Sequence, residues 1–171
     1  MDTSMNNKKI HTAYLDCYDT YADSIYRFLA FQTNSKSSAE DLTQDTFIKL
    51  WDYLQKDEKK VENMKAFVFR IARNTLIDFR RKKKATSLDN ITDTGIDFES
   101  KEDILNETIL QDDFEYIISK LEILSEKEKQ LILLRYVENM SVQEIATIYK
   151  KRPNTLSVTI HRALEKIKKH L

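Results

Sequence analysis

The chain has 171 residues, enough for one ordinary domain or two small ones, and its 28 Lys and Arg balance its 28 Asp and Glu, so overall charge points to no partner. One Gly and one Pro leave little material for hairpin turns, which argues against a β-sheet protein and for an all-α one. The single Cys17 rules out an intramolecular disulfide framework, and three scattered His offer no zinc spacing with it, so Cys17 is expected in the core.

No apolar run reaches the length of a membrane span and the N-terminus has no hydrophobic signal core, so a cytoplasmic protein without membrane insertion is expected. Charge is distributed in blocks. Residues 64–84 carry eight basic residues against one acid, and residues 85–120 carry two against ten. Blocks of this kind mark separate surfaces with different partners.

In chain order, a helical half is predicted over 9–84. Tyr14, Tyr18, Tyr21, Ile25, Phe28 and Leu29 recur at helical spacing and form a core stripe. After a polar turn over 33–38, a second helix is predicted from about Ser38, as cap, to Leu54. Leu42, Thr43, Phe47, Leu50 and Leu54 face inward on it. Asp41, Gln44, Asp45 and Ile48 lie at i, i+3, i+4 and i+7 on the other side, an isoleucine framed by acids and an amide, as in a protein-docking patch.

Residues 55–63 lack periodicity and are predicted to form a surface loop. The next helix, from about Lys65 to Lys84, should bury Val68, Ile71, Ala72, Thr75 and Phe79. Its other arc aligns Arg70, Arg73, Asn74, Ile77, Arg80, Arg81 and Lys84, with Phe67 and Phe69 near its start. Cations for phosphate, and an amide and aromatics for bases, suit nucleic acid.

An acidic linker is predicted over 85–107, extended around Gly95, and a second helical domain over 108–171. A helix through Ile109, Leu110, Phe114, Ile117, Ile118 and Leu121 is followed by a capping box, Ser125 with Glu128, leading into Leu131, Ile132, Leu134 and Tyr136. A further box, Ser141 with Glu144, starts a short helix containing Ile145, Ala146 and Tyr149. Residues 150–153 break it, and a last helix starts near Asn154.

On that last helix Leu156, Ile160, Ala163, Leu164, Ile167 and Leu171 form the buried stripe. Asn154, Thr155, Val158, His161, Arg162 and Lys169 point outward. From Lys150 to the end there are seven basic residues and one acid. This is a helix-turn-helix whose second helix presents short polar residues to a major groove.

Taken together, these segments bring a family into view. "YDTYADSIYRFL", "AEDLTQDTFIKLW" and "FRIARNTLIDFRR", followed by "LSEKEKQLILLRYVENMSVQEIA" and "NTLSVTIHRALEKI", resemble the compact extracytoplasmic-function (ECF) group of bacterial RNA polymerase sigma factors, which keep only regions 2 and 4. The resemblance covers nearly the whole chain. It implies an alternative sigma factor that binds core RNA polymerase at its β′ clamp and β flap, recognises the −10 and −35 elements of promoter DNA, opens the strands, and needs no cofactor or catalysis of its own. An anti-sigma protein is left open as a further partner.

Position by position, the resemblance assigns Asp41, Gln44 and Asp45, with Ile48, to docking on the β′ clamp. The loop over 55–63 corresponds to the one that captures a flipped −10 base, and Arg70, Arg73, Asn74, Arg80 and Arg81 to the −10 strand contacts. Lys151, Arg152, Asn154, Thr155, Val158, His161 and Arg162 fall at the −35 element. The chain departs from the family at Lys150, where a turn glycine is usual, and at Ser157 and Thr159, where basic residues are common. The promoter sequence therefore does not transfer, and DNA affinity is expected to lean on Lys150, Lys151 and Arg152. The alternative reading is a helix-turn-helix regulator with an N-terminal sensing or dimerisation domain. No Ser/His/Asp set, glycine-rich phosphate loop or metal spacing supports an enzyme.

Overall fold

In a computed structural model the described residues are 3–33, 35–56, 61–89 and 121–170; side chains are described from residue 8, and not for 86–89. They form six α-helices and, among the described residues, no strand. Contacts divide the chain into one unit of Met1–Leu29 with Ser37–Asp97 and a second of Ala30–Lys36 with Phe98–Leu171.

Three long helices build the first unit: α1 (Thr3–Thr33), α2 (Lys36–Lys56) and α3 (Met64–Asp89). None contains Gly or Pro, so nothing in their interiors opposes propagation. Ile25, Phe28 and Leu29 of α1 are buried together with Ala39, Leu42, Phe47 and Leu50 of α2 and Ala66, Val68, Phe69, Ala72 and Leu76 of α3. Each large apolar side chain of this kind contributes roughly 1.5–3 kcal/mol when fully buried. Phe28 meets the edge of Phe69 with ring centroids 5.8 Å apart. Thr46 is buried among them and satisfies its hydroxyl by donating to the Leu42 carbonyl at 2.7 Å. Lys49 Nζ, donating to Thr75 Oγ1 at 3.1 Å, ties α2 to α3.

Several boundaries and faces differ from expectation. α1 starts at Thr3 rather than near Lys9. α2 begins at Lys36, so Ser38 lies within its first turn and does not cap it. The bend before it carries a bond from Thr33 Oγ1 to the Ser35 carbonyl, 3.2 Å. α3 is capped by Asn63, whose side-chain oxygen accepts from the Ala66 N–H at 2.8 Å, a local device missed in the sequence. At its other end α3 runs on to Asp89, because residues 82–85, three lysines and an alanine, are good helix formers with no breaker after them. Tyr18 is not a core residue: it is 46% exposed, with its ring centroid 4.8 Å from that of Phe47 and 6.4 Å from that of Tyr14. Phe69, expected beside the basic face, is fully buried.

In the second unit the residues before α4 (Glu126–Ile132) contribute Leu121 and Leu124 to the core. The helix expected over 109–118, the 90–107 part of the linker, residues 57–60 of the loop, and Leu171 lie outside the described residues. α4 passes into a wider π-type turn over Leu133–Val137, closed by the Glu138 N–H donating to the Leu133 carbonyl at 3.0 Å. The extra residue per turn shifts the register, so Leu133 and Leu134 are buried while Tyr136, expected in the core, is 52% exposed. α5 (Val142–Tyr149) and α6 (Pro153–Lys168) follow.

Candidate functional site

On α2 the structure brings Asp41, Gln44, Asp45 and Ile48 to one exposed face, with Ile48 57% exposed. The opposite face is occupied by Leu42, Thr46, Phe47 and Leu50, so the four are held out by the packing of their neighbours. Beside them in sequence, Phe47 and Trp51 join an aromatic cluster with α1. Tyr14 lies 5.1 Å from Trp51 and 6.3 Å from Phe47, centroid to centroid, both edge-on. Burial, then the neighbouring Tyr18 and Cys17, raises the Tyr14 pKa. Cys17 is buried as expected, and burial pushes its thiol up to about 11, which leaves it protonated and unreactive near neutrality.

The basic face of α3 divides into two kinds of residue. Asn74 and Arg81 are exposed, as are Lys82, Lys83 and Lys84. Arg70, Arg73 and Arg80 are half-buried, and the Nε of Arg73 is itself shielded from solvent. The guanidinium of Arg70 sits over the Phe67 ring, 5.0 Å from its centroid, and Phe67 packs in turn on Tyr53 at 4.5 Å. A half-buried ladder of Tyr53, Phe67 and Arg70 thus stands where a basic helix follows a loop. Tyr53 was missed in the sequence because it belongs to a different helix from the other two; no spacing rule links them.

The helix-turn-helix is built by local bonds. Ser141 and Glu144 form the expected capping box: the Glu144 carboxylate accepts from the Ser141 N–H at 2.8 Å and the Ser141 hydroxyl accepts from the Glu144 N–H at 3.2 Å. Lys150 ends α5 in the left-handed conformation, φ 51° and ψ 45°. Arg152 precedes α6 in extended conformation and Pro153 takes its first position, where the missing N–H has no cost.

Leu156, Ile160 and Ala163 are buried, and the expected outward set, Asn154, Thr155, Val158, His161 and Arg162, is exposed together with Lys151 and Arg152. Ser157 is exposed too, whereas Thr159 is half-buried and its hydroxyl donates to the Thr155 carbonyl at 2.8 Å.

What fixes the orientation of α6 was not foreseen. Glu128, read only as a cap, does two jobs. One carboxylate oxygen accepts from the Ser125 N–H at 2.9 Å and its hydroxyl at 2.8 Å, and the other accepts from Lys166 of α6 at 2.7 Å. The Lys166 bond holds its pKa down to about 2 against the opposing effect of burial, and the two Ser125 bonds add to the lowering. Tyr149 of α5 donates to the buried Gln130 Oε1 of α4 at 2.7 Å, which satisfies two polar groups inside the unit. Among the described residues no group of His, Cys, Asp and Glu could hold a metal ion, and no helix is long and apolar enough to cross a membrane.

Comparison with known proteins bears on both units. The sigma-70 region 2 family model matches residues 17–86, and the sigma-70 region 4 model matches residues 114–167. The ECF RNA polymerase sigma factor SigX of Bacillus subtilis is 27% identical over 161 residues, 90% of this chain and 81% of that one. SigW of the same organism is 28% identical over 168 residues, covering 93% and 89%. Among solved structures, the sigma factor RpoE of Bartonella quintana, in complex with the anti-sigma factor NepR, aligns with a TM-score of 0.67 at 23% identity, covering 89% of this chain and 92% of that one. CnrH, in complex with the cytosolic domain of CnrY, aligns with a TM-score of 0.66 at 19% identity, covering 92% and 86%. At those identities the structures speak for the all-α fold; the two region matches, in order and together with relatives aligned over most of their length, make this chain a member of the ECF group of sigma-70 factors.

Proposed function

We propose a division of the sigma-factor task among three surfaces of this chain. As an alternative sigma factor it directs core RNA polymerase to promoters and initiates transcription there. The exposed Asp41, Gln44, Asp45 and Ile48 dock on the β′ clamp, with Ile48 desolvated at the centre and the acids meeting cations around it. Arg70, Arg73, Asn74, Arg80 and Arg81 hold the non-template strand of the opened −10 element. Extracting a base costs unstacking and unpairing, a few kcal/mol, which prepared aromatic and cationic contacts offset. Lys151, Arg152, Asn154, Thr155, Val158, His161 and Arg162 meet the −35 element from α6 and the turn before it, and the β flap supports this second unit.

The chemistry of nucleotide addition belongs to the polymerase, and the chain works in the cytoplasm without a cofactor. NepR and the CnrY cytosolic domain accompany the two solved neighbours, and a protein of that kind is the natural restraint on this one. The observation that carries the reading is the α2 face, where an apolar residue is largely presented to solvent between acids on the same unit as a basic helix. A regulator with a sensing or dimerising N-terminal half leaves that pairing without a role. The test is reconstitution. Purified protein added to sigma-free core polymerase is expected to restore specific initiation from a subset of genomic fragments; a protein that instead binds duplex operators tightly by itself and leaves core polymerase inactive would sink the proposal.

A further inference from the structure

Two residues of the second unit that are not glycine hold a positive φ, Asn139 and Lys150, each at 51°. Asn is the type that visits this region most readily, since its short amide bonds locally. Lys has no such relief, and its Cβ crowds the carbonyl oxygen. The turn nevertheless needs the conformation at position 150: the Lys150 and Lys151 N–H groups both return to the Ala146 carbonyl, the latter at 3.2 Å, and so terminate α5. Gly or Asn would meet that need with less strain. The backbone therefore explains the conformation and not the lysine.

Packing does not explain it either. Lys150 is exposed, and among the described residues it makes no ion pair or side-chain hydrogen bond. Other lysines of the unit behave differently: Lys129, Lys166 and Lys168 hold Glu126, Glu128 and Glu165. Lys151 and Arg152 are exposed like Lys150 and hold no acid among the described residues. Three consecutive cations therefore lead into α6, whose cap residue Arg152 makes no side-chain capping bond and whose first turn contains no acid. The positive end of that helix adds to their field.

We propose that Lys150 contacts a backbone phosphate of duplex DNA, and that the turn of Lys150, Lys151 and Arg152 anchors α6 on the duplex, the strain at Lys150 being retained for its charge. This rests on the reading of α6 as the groove helix and adds to it a residue outside the outward face of that helix. Because a phosphate contact carries no sequence information, it supplies the affinity that Ser157 and Thr159 do not.

The experiment uses holoenzyme reconstituted from the full chain and core RNA polymerase, with duplexes recovered by that holoenzyme from a randomised pool as probes. Lys150→Gly is expected to raise the thermal midpoint of the free chain by about 2–4 °C, since a strained position is relieved. Its affinity should fall roughly five- to tenfold at 0.15 M salt, alike for every recovered duplex, with a log–log salt slope shallower by about 0.9. Lys150→Arg should keep the parental slope, and Lys150→Asn should follow Gly. Unchanged affinity and slope in Lys150→Gly overturn the assignment, as does a loss confined to core-polymerase binding, which would give Lys150 a protein partner. Arg162→Ala separates the two levels: if it weakens binding while Lys150→Gly does not, only Lys150 is misassigned, and if neither does, the reading of α6 itself has failed.

Discussion

The two basic helices, α3 in the first unit and α6 in the second, present different surfaces, and the proposed function gives them different recognition problems. α3 holds Arg70, Arg73 and Arg80 half-buried, with Arg70 stacked on Phe67 and Phe67 on Tyr53, so planar groups and a cation are offered together. α6 presents short residues in its first turns, Asn154, Thr155, Ser157 and Val158, with three exposed cations in the turn before them and Arg162 further along. A single strand exposes base faces and phosphates on one flexible chain, which suits the first arrangement. A duplex hides the faces and exposes edges in a groove of fixed width, which suits the second. Charge alone did not separate the helices; the neighbours of each charge do.

The largest effect that tests this contrast is a stability one. Phe67 and Phe69 are two residues apart, yet one faces Arg70 and the other lies in the core against Phe28. Phe69→Ala is expected to cost about 3–5 kcal/mol of first-unit stability, read by denaturant titration with the fluorescence of Trp51. Phe67→Ala should cost much less and instead impair strand opening, scored by permanganate reactivity of unpaired thymines. Equal destabilisation by both would dissolve the distinction between core and strand-facing aromatics.

Next in size is docking, which the proposed function assigns to α2 and not to α6. Asp45→Arg combined with Ile48→Glu should leave the helix folded and weaken core-polymerase binding by about 3 kcal/mol, because like charges set against each other across an interface are costly. Fluorescence titration measures it, and an unchanged affinity in a folded variant removes this face from the mechanism. On α6, Arg162→Ala should cost roughly 1–3 kcal/mol and relax preference at one base pair if it reads an edge. A uniform loss across sequences, with a shallower salt slope, would make Arg162 a phosphate contact and α6 more like its own turn.

Much of this was legible in the sequence because it depends on local periodicity. The outward sets of α2 and α6, both capping boxes and the helix-turn-helix follow from residues three or four apart. Where the sequence misled, the cause was nonlocal or a change of period. Phe69 is an exception, because two residues apart it cannot share a face with Phe67, and its spacing to the buried Ala72 and Leu76 already puts it in the core, where it meets Phe28. Tyr136 lies four residues after the buried Ile132 and would share its side only if α4 continued unchanged; the π-type turn moves it outward. Tyr53 and the Glu128 to Lys166 link join residues on different helices, and pairing of that kind has no signature in a single chain.

That link gives the smallest and most specific prediction. The Glu128 side chain is only 12% exposed and its carboxylate, held down to about 2 by Lys166 and Ser125, is a charged group bonded to α6. Its folded pKa lies below the ordinary value of 4.5, so its contribution to stability is present above pH 4.5 and is lost as pH falls toward 2. Lys166 is half in solvent, so the pair is screened and the loss should be about 1–2 kcal/mol, less than that displacement would convert to in full. Glu128→Gln removes the charge while keeping the shape. Hydrogen exchange of the α4 and α6 amides should show the variant less protected than the parent at pH 7, with the two converging as pH falls from 4.5 to 2, because the unfolded parent takes up a proton over that range while the folded carboxylate is neutralised only near its lower end. A gap that stays constant across that range would mean that the Lys166 bond contributes nothing electrostatic, and that α6 is positioned for the groove by apolar packing of Leu156, Ile160 and Ala163 alone.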